Sequence, residues 1–297
     1  MRTETKQSLL LDHVDLRAVA AEITDPAADC NAVVQLDPDH PGFRDAEYRA
    51  RRNEIARISL AYKTGAAIPD APYAAEDHRL WRVVRDALEP AHRRRACAEY
   101  LTCVESLDLP RDRIPQLREV SEKVQAISGF RLEPVAGLAE PRVFLESLAD
   151  GVFLCTQYIR HHSAPFYTPE PDVVHEVIGH AVTLAGEHFA ELNRLVGEAV
   201  KRTTSPEALE RLSRVYWFTI EFGVVREAGE VKAYGTGLLS SAGELEVMRQ
   251  AELYPFDLEA ASRQEYDPTR FQPALFCADS FGMMFETLRE FLLNWGR

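Results

Sequence analysis

The residues of this sequence that could do chemistry are concentrated in the segment PFYTPEPDVVHEVIGH. It contains two histidines, His175 and His180, and three carboxylates, Glu170, Asp172 and Glu176. Neutral imidazoles and carboxylates are ligands that iron, zinc and related divalent ions accept. The segment therefore predicts a metal site.

The spacing of the two histidines separates two kinds of metal site. Zinc proteases carry H-E-x-x-H, which places both histidines on one face of a helix, whereas this chain reads H-E-V-I-G-H. In a regular α-helix, a five-residue step turns roughly 140° away from a common face. His175 and His180 can reach one ion only if it lies beside the helix or if the turn is distorted near Gly179. A zinc hydrolase with Glu176 as general base is thereby disfavoured, but it stays an alternative.

Two histidines do not complete a metal site, so a carboxylate from another buried element is needed. Glu221 lies in VYWFTIEFG among Phe218, Ile220 and Phe222, where a charge is costly unless it is paired or bound to a metal. Two histidines and one carboxylate occupy one face of an iron ion and leave positions open for oxygen and substrate. We predict His175, His180 and Glu221 as metal ligands; pairing of Glu221 with an arginine is the alternative.

Composition and charge exclude several function classes. The chain has 297 residues, of which 46% are hydrophobic and 27% charged, and its formal net charge of −13 opposes binding to nucleic acid or anionic membranes. No apolar run could span a bilayer, and the N-terminus lacks a signal-peptide pattern. The five cysteines are scattered without C-x-x-C spacing, as expected of free thiols. We expect a cytoplasmic protein that binds neither nucleic acid nor membrane.

The elements that position these residues are predicted to be mostly helices. Apolar residues recur at helical spacing along most of the chain, and there is no alternating β-α pattern. The fold class is therefore mainly α (α+β), with short strands. The specific expectations are two helices within residues 74–104 broken at Pro90, a helix over 141–148, a strand over 152–159, a helix from the N-cap Ser205 to about residue 222, and a helix over 281–295.

Six stretches, read together and in order, resemble one known family. They are LDPDHPGFRDAEYRARR, IPQL, GFRLEPVAGL, YTPEPDVVHEVIGH, VYWFTIEFG and KAYGTGLLSSAGEL. These stretches look like the tetrahydropterin-dependent aromatic amino acid hydroxylases, most of all the members that hydroxylate phenylalanine. The match extends over residues 36–281, so it is far more specific than any single motif.

The resemblance implies a fold and a pair of cofactors. The fold would be the family's catalytic domain, a helical basket with short β segments, over residues 34–297, preceded by an extension over residues 1–33. In this family Fe(2+) is held by residues that match His175, His180 and Glu221, and tetrahydrobiopterin or a related tetrahydropterin supplies electrons for oxygen. Glu176 and Glu221 are the implied catalytic residues. The implied pterin-binding residues are Gly137, Leu138, Phe144, Glu176 and Tyr216.

The resemblance also implies a binding site for a free aromatic amino acid. Arg160 matches the arginine that pairs with the substrate carboxylate, and Asp172 is placed to orient it. The other implied substrate-binding residues are Thr168, Trp217, Phe218 and Ser240. From the residues alone, Phe144 would be an ordinary core residue, Arg160 a surface arginine and Ser240 a capping residue.

The implied activity is ring hydroxylation of an aromatic amino acid. The Trp217-Phe218 pair favours L-phenylalanine and 4-hydroxylation to tyrosine. Leu154 stands where mammalian members have a histidine beside the pocket, which leaves open a phenylalanine 3-hydroxylase or tryptophan hydroxylase of secondary metabolism. A binder of amino acid and pterin without turnover is a further alternative.

The two ends of the sequence lead to an expectation about assembly. Only about 33 residues precede the match, and Arg297 falls before the family's oligomerisation hairpin and helix. We therefore expect no allosteric regulatory domain, and a monomer or dimer instead of the family's tetramer.

Overall fold

The computed structural model describes residues 33–296. The extension expected over residues 1–33 lies outside the described residues, apart from its last position. The described chain is mainly helical with short strands, which confirms the predicted fold class. Its α-helices are α1 (Ala46–Ala61), α2 (Ala75–Arg95), α3 (Ala98–Leu107), α4 (Leu117–Ser128), α5 (Pro141–Ala149), α6 (Val182–Leu184), α7 (Glu187–Arg202), α8 (Pro206–Tyr216), α9 (Thr236–Leu239), α10 (Ala242–Val247), α11 (Leu258–Ala261) and α12 (Phe281–Asn294).

The strands form two small sheets beside the helices. In the first sheet, β1 (Arg131–Val135) pairs in parallel with β2 (Val152–Thr156). The second sheet has the order β4-β3-β6-β5 and is built from β3 (Val224–Glu227), β4 (Glu230–Ala233), β5 (Glu252–Pro255) and β6 (Ala274–Ala278). The strand expected over residues 152–159 therefore ends early, at Thr156.

Three further helical segments are not α-helical. His175–Ala181 and Trp217–Glu221 are π-helical, and we call them the first and second π-helix; Met248–Gln250 is a 3₁₀ helix. Ser205 caps α8 as predicted, accepting a hydrogen bond from the Ala208 amide at 3.1 Å. The helix expected to run to about residue 222 is thus α8 followed directly by the second π-helix.

One hydrophobic core surrounds the first π-helix. Val177 and Ile178 within it are at most 2% exposed. Helices α5 and α7 pack backbone to backbone beside it, because a Cβ on Gly197 would lie 2.2 Å from the Ala149 amide nitrogen. This close packing holds α5, which carries Phe144, in a defined position.

The helix break expected at Pro90 is wrong. Helix α2 runs without interruption through Pro90. Proline removes the hydrogen bond to the carbonyl four residues earlier, but both Pro90 and Asp86 are exposed, so water can bond that carbonyl. The buried face, which includes Leu80, Val84 and Leu88, continues past the proline and holds the helix together.

Within residues 33–296, no helix is both long enough and apolar enough to cross a membrane. Cys97, Cys103, Cys155 and Cys277 are buried free thiols, as expected from their spacing.

Candidate metal centre

The first π-helix places the two histidines above one another. A π-helix closes i→i+5 hydrogen bonds, so residues five apart lie on the same face. The segment ends with such a bond, from the Val182 amide to the Val177 carbonyl. The separation expected for a regular α-helix is therefore wrong for His175 and His180, and the alternative of a distorted turn near Gly179 is correct.

The second π-helix presents Glu221 at its last position. The amide of Phe222 donates to the carbonyl of Trp217 at 2.9 Å, again a bond between residues five apart. The flanking Ile220 and Phe222 are buried, whereas the Glu221 side chain keeps 12% exposure. Glu221 therefore enters the same region as the histidines, and the ion pairs that it forms are with them and not with an arginine.

Donor atoms of the three side chains converge. The distance from His175 Nε2 to His180 Nε2 is 3.0 Å, and that from His180 Nε2 to Glu221 Oε1 is also 3.0 Å. His175 Nε2 lies 3.7 Å from Glu221 Oε2. Ligand atoms that meet a single ion at right angles with bonds of about 2.1 Å lie about 3 Å apart. The spacing is therefore that of a metal centre.

The protonation states of His175 and Glu221 favour a cation between them. Burial lowers the pKa of His175 to about 4, with an additional contribution from His180, so the imidazole is neutral at pH 7. Burial acts to raise the pKa of Glu221, but His180, His175 and a hydrogen bond from Thr236 outweigh it and bring that pKa to about 2. A neutral imidazole and an ionised carboxylate are the forms that bind metals.

Two hydroxyl groups hold these side chains from behind. Ser240 Oγ donates to the Thr236 carbonyl at 2.8 Å and lies 3.0 Å from His175 Nδ1. With its own proton used, Ser240 accepts from Nδ1–H, which leaves the lone pair of His175 on Nε2. Thr236 Oγ1 donates to Glu221 Oε2 at 2.8 Å.

Gly179 is the residue that lengthens the histidine spacing, and it also makes room for Thr236. A Cβ on Gly179 would lie 2.9 Å from the Thr236 carbonyl oxygen and 3.2 Å from its Cβ. Helix α9 can therefore approach the first π-helix only because this position lacks a side chain.

Glu176 lies beside the converging groups without joining them. Its Oε1 accepts hydrogen bonds from Thr156, at 2.9 Å from Oγ1 and 3.3 Å from the amide. Burial raises the pKa of Glu176 to about 7, against the opposing effects of His180 and Thr156. The carboxyl is thus anchored to the end of β2.

Arg160 and Asp172 form a buried bidentate pair. Arg160 Nε donates to Asp172 Oδ2 at 2.8 Å and Nη2 donates to Oδ1 at 2.7 Å. Burial acts to raise the pKa of Asp172, but the guanidinium of Arg160 holds it below its usual value. Asp172 Oδ1 also accepts from the His175 amide at 3.3 Å, so the pair is tied to the start of the first π-helix. Nη1 also donates to the Pro165 carbonyl at 3.5 Å, and the other N–H groups of Nη1 and Nη2 remain for another anion.

Aromatic rings connect the predicted pterin residue Phe144 to the metal cluster. Its ring meets Phe153 edge to face at 5.3 Å, and Phe153 lies 4.5 Å from the His180 ring. Tyr216 is 6.1 Å from Phe144, and its buried hydroxyl has no hydrogen-bond partner within residues 33–296. A buried hydroxyl without a partner indicates a position where a ligand or water would bond.

The remaining predicted residues lie around these groups. Leu138 is 54% exposed, and a Cβ on Gly137 would meet no atom within 4 Å, so this loop has open space beside it.

Trp217 stacks on Tyr266 at 4.1 Å, and its Nε1 donates to Gln272. Phe218 is 2% exposed and packs in a separate small cluster. Thr168 is half-buried and donates to the Glu170 carbonyl, so it is not brought to the metal cluster.

Two threonines of the site escaped the sequence reasoning. Thr236 and Thr156 hold Glu221 and Glu176, but a threonine between two glycines or at a strand end carries no distinctive pattern. Ser240, expected to touch substrate, contacts His175.

Known proteins resemble this chain over most of its length. A family model for the biopterin-dependent aromatic amino acid hydroxylases matches residues 20–297. The chain is 44% identical over 263 residues to phenylalanine-4-hydroxylase of Bos taurus, covering 86% of this chain and 58% of that protein. It is 44% identical over 252 residues to phenylalanine 3-hydroxylase of Streptomyces coeruleorubidus, covering 85% of this chain and 90% of that protein.

A solved structure is also similar. Phenylalanine hydroxylase from Chromobacterium violaceum, determined with iron(III) and oxidised 7,8-dihydrobiopterin, matches with a TM-score of 0.72 and 30% identity, over 80% of this chain and 90% of that chain.

The helical fold and the convergence of two imidazoles with one carboxylate define a protein of the two-histidine, one-carboxylate metal class. The chain belongs to the biopterin-dependent aromatic amino acid hydroxylase family, which confirms the resemblance. It spans less than two thirds of the length of the mammalian relatives that it matches.

Proposed function

We propose that the protein is a non-haem Fe(II)- and tetrahydrobiopterin-dependent monooxygenase that hydroxylates the ring of free L-phenylalanine, giving tyrosine. The observation that carries the proposal is the convergence of His175 Nε2, His180 Nε2 and the Glu221 carboxylate. Iron in this family couples the two electrons of the pterin to oxygen. Family membership excludes the zinc hydrolase alternative.

The residues around the ligands prepare them for iron. Ser240 keeps the His175 proton on Nδ1, and Thr236 holds one oxygen of Glu221, so neither ligand must rearrange to bind. Burial of His180, which is 2% exposed, keeps water from that side of the centre.

The pterin, in this proposal, lies between Phe144 and the loop that contains Gly137 and Leu138. Phe144 offers a ring face, and the loop has the open space described above. The unpartnered hydroxyl of Tyr216 and the carboxyl of Glu176 offer polar contacts nearby. Flat heteroaromatic rings are bound by this combination of stacking and a few directed hydrogen bonds.

The amino acid, in this proposal, pairs its carboxylate with the N–H groups of Arg160 that Asp172 does not bind. Asp172 has already fixed the orientation of that guanidinium through two hydrogen bonds, so little entropy is lost on binding. The aromatic ring of the substrate then lies towards Trp217 and Phe218, while Thr168 and Ser240 lie near its backbone groups.

Hydroxylation at C3 of the phenylalanine ring is a second candidate activity. It is favoured by the match to phenylalanine 3-hydroxylase, which extends over 90% of that protein. Leu154 on β2 is half-buried, and an aliphatic side chain there cannot donate a hydrogen bond as a histidine would. Tryptophan hydroxylation remains a third, weaker alternative.

The test is incubation of the protein with Fe(II), tetrahydrobiopterin, oxygen and each aromatic amino acid, with products identified by chromatography. We expect para-tyrosine from phenylalanine; meta-tyrosine would support the second candidate instead. Binding of phenylalanine and pterin without oxygen uptake would replace the proposal with a non-catalytic binder. A reaction without pterin serves as the control.

Location and assembly are also proposals. A cytoplasmic enzyme fits the four buried free thiols of the described chain, because reduced cysteines persist in that compartment. A catalytic domain over residues 34–297, forming a monomer or dimer, is the arrangement that we propose. A stable tetramer in analytical ultracentrifugation would contradict it.

A further inference from the structure

A cavity that is lined by none of the predicted substrate and pterin residues lies elsewhere in the molecule. It has a volume of about 430 Å³ and opens between α2 and α3. Apolar side chains line much of it: Leu88 from α2, Leu101 and Val104 from α3, and Ile178 and Val182 from the first π-helix and α6. Small-molecule sites in proteins are cavities of about this size, with mostly apolar walls and a few polar groups.

Arg85 supplies a charged group without a partner. Its guanidinium lies 5.9 Å from the Trp81 ring, and within residues 33–296 it forms no ion pair or hydrogen bond. The side chain is half-buried, and this burial lowers the pKa of Arg85. Glu89 and Asp108 act against this lowering of the pKa, but neither forms an ion pair with Arg85. A partly desolvated cation without a direct ion pair is unfavourable, and an anion bound beside it would relieve that cost.

The charge of Arg85 acts on the inner wall of the cavity. Burial raises the pKa of Tyr100, and the charge of Arg85 opposes this rise. Burial lowers the pKa of His92 to about 4, and the charge of Arg85 lowers it further. Tyr100 and His92 both line the cavity. Arg85 itself also lines the cavity, together with these two residues.

The glutamate that lines the cavity one helical turn from Arg85 is already paired with other arginines. Glu89 lines the same cavity but is already paired with two other arginines, with Arg111 at 2.7 Å and with Arg93. Three arginines and two glutamates line the cavity, in a chain whose net charge is −13. The site is thus locally cationic on an acidic protein, which favours anions.

We propose that this cavity binds a small monocarboxylate with an apolar body, and that Arg85 is the counter-ion of its carboxylate. The apolar body lies against Leu88, Leu101 and Val104. A neutral molecule of the same shape gains only the apolar contacts and leaves Arg85 unpaired, so the site discriminates for charge.

An occupant of the cavity touches residues that support the metal cluster. Tyr100 donates through its hydroxyl to the Ile178 carbonyl at 2.9 Å, within the first π-helix. His92 Nε2 donates to the Leu239 carbonyl at 2.6 Å, at the end of the helix that carries Thr236. The site is distinct from the proposed active site, and its binding can be measured without turnover.

The experiment is calorimetric titration of the purified protein with 4-phenylbutyrate and, separately, with its neutral amide. We expect saturable binding of the carboxylate and at least tenfold weaker binding of the amide. Arg85→Gln is expected to weaken carboxylate binding about tenfold or more. Arg79→Gln, an exposed arginine on the same helix, is the matched control and leaves the affinity unchanged.

Three outcomes would overturn the proposal: no binding of the carboxylate to the folded protein, equal binding of carboxylate and amide, or equal affinity in Arg85→Gln. Equal affinity in Arg85→Gln would mean that the probe binds elsewhere, such as in the substrate site beside Arg160, and not in this cavity. If Arg85→Gln does not fold, as judged by thermal unfolding, Arg85→Met and Arg85→Lys replace it. The lysine variant keeps the charge and retains most of the affinity, whereas the methionine variant loses it.

Discussion

Two clusters in the described chain combine a pair of histidines with one carboxylate, and the comparison between them separates a metal centre from a structural contact. His175, His180 and Glu221 form one cluster, and Asp45, His161 and His162 form the other. In both, one donor atom from each residue lies within 4.8 Å of the others. Proximity alone therefore does not distinguish them.

In the second cluster, the facing atoms of His161 and Asp45 are already paired with each other. His161 Nδ1 accepts from the Ser163 amide at 3.3 Å, so its proton is on Nε2, which lies 3.2 Å from Asp45 Oδ2. Asp45 also caps α1, accepting from the Tyr48 amide at 2.9 Å. The His162 side chain is 42% exposed and faces Glu76. The facing atoms of His161 and Asp45 are thus already paired, which leaves the exposed His162 as the member with a nitrogen available to a cation.

In the first cluster, hydrogen bonds on the outer side hold His175 and Glu221. Ser240 accepts a hydrogen bond from Nδ1–H of His175, and Thr236 donates to Glu221, so the Nε2 lone pair of His175 and the carboxylate of Glu221 point inwards at each other. Inward lone pairs repel unless a cation lies between them. The difference lies in the hydrogen bond on the outer ring nitrogen: in His175 it leaves the inner nitrogen with a lone pair for a metal, and in His161 it does not.

The largest expected effect comes from removing the charge of the first cluster. Glu221→Gln replaces an anionic ligand with a neutral amide, and we expect Fe(II) affinity to fall by at least the ~100-fold that loss of supporting contacts can cause. Equilibrium dialysis with metal analysis measures it.

Asp45→Ala is the control for Glu221→Gln. It removes the only carboxylate of the second cluster and should leave the iron affinity within about twofold, since the change is remote. A parallel loss of iron in both variants would mean that the two clusters do not differ as described.

Another buried acid, Glu244, shows what the partners of Glu221 contribute to its low pKa. Glu244 is 7% exposed and accepts one hydrogen bond, from the Gln272 amide at 2.7 Å. Burial raises the pKa of Glu244 to about 7, against the opposing effect of that hydrogen bond. Glu221, with two histidines and a threonine beside it, has a pKa of about 2.

The direction in which Glu244 changes the stability of the fold with pH follows from proton binding. Because its pKa in the folded protein exceeds the ordinary value of 4.5, the folded state binds more protons, and stability falls as pH rises from about 5 to 8. Glu244→Gln removes this contribution, roughly 2 kcal/mol across that range after allowance for screening. Urea unfolding of both proteins at the two pH values measures it; identical slopes would contradict the assignment.

The next effect concerns the hydroxyl behind Glu221. Thr236→Val keeps the shape of a residue that is 1% exposed and removes the donor to Glu221 Oε2. We expect Fe(II) affinity about tenfold weaker, at the lower end of what supporting contacts contribute. Thr236→Ser, which restores the hydroxyl, should recover most of the affinity. Normal iron binding in the valine variant together with weak binding in the serine variant would show that packing matters and the hydroxyl does not.

The sequence singles out the three members of the first cluster but not how they meet. In a regular 3.6-residue turn His175 and His180 diverge, and the sequence offers two ways for them to reach one ion without indicating that the π-helix is the one used. Glu221 stood out because it is a charge among apolar residues. Thr236 had no such contrast, and its role depends on Gly179 making space for α9. The rule that proline breaks a helix fails at Pro90 because it considers only local sequence, whereas α2 is held by the buried face on which it packs.

The smallest expected effect, His162→Ala, is the most direct test of the second cluster. His162 is the exposed member, and its contact with Glu76 spans 3.4 Å with Arg51 also near that carboxylate, at 3.8 Å. Removing an exposed side chain of this kind changes stability by no more than about 0.5 kcal/mol. Titration with Zn(II), which binds imidazole well, should show the same stoichiometry in the variant as in the parent protein. If the variant instead loses one tightly bound zinc, the hydrogen bonds of His161 must rearrange when metal is present, and a ring proton directed at the neighbouring carboxylate would no longer suffice to mark a structural cluster.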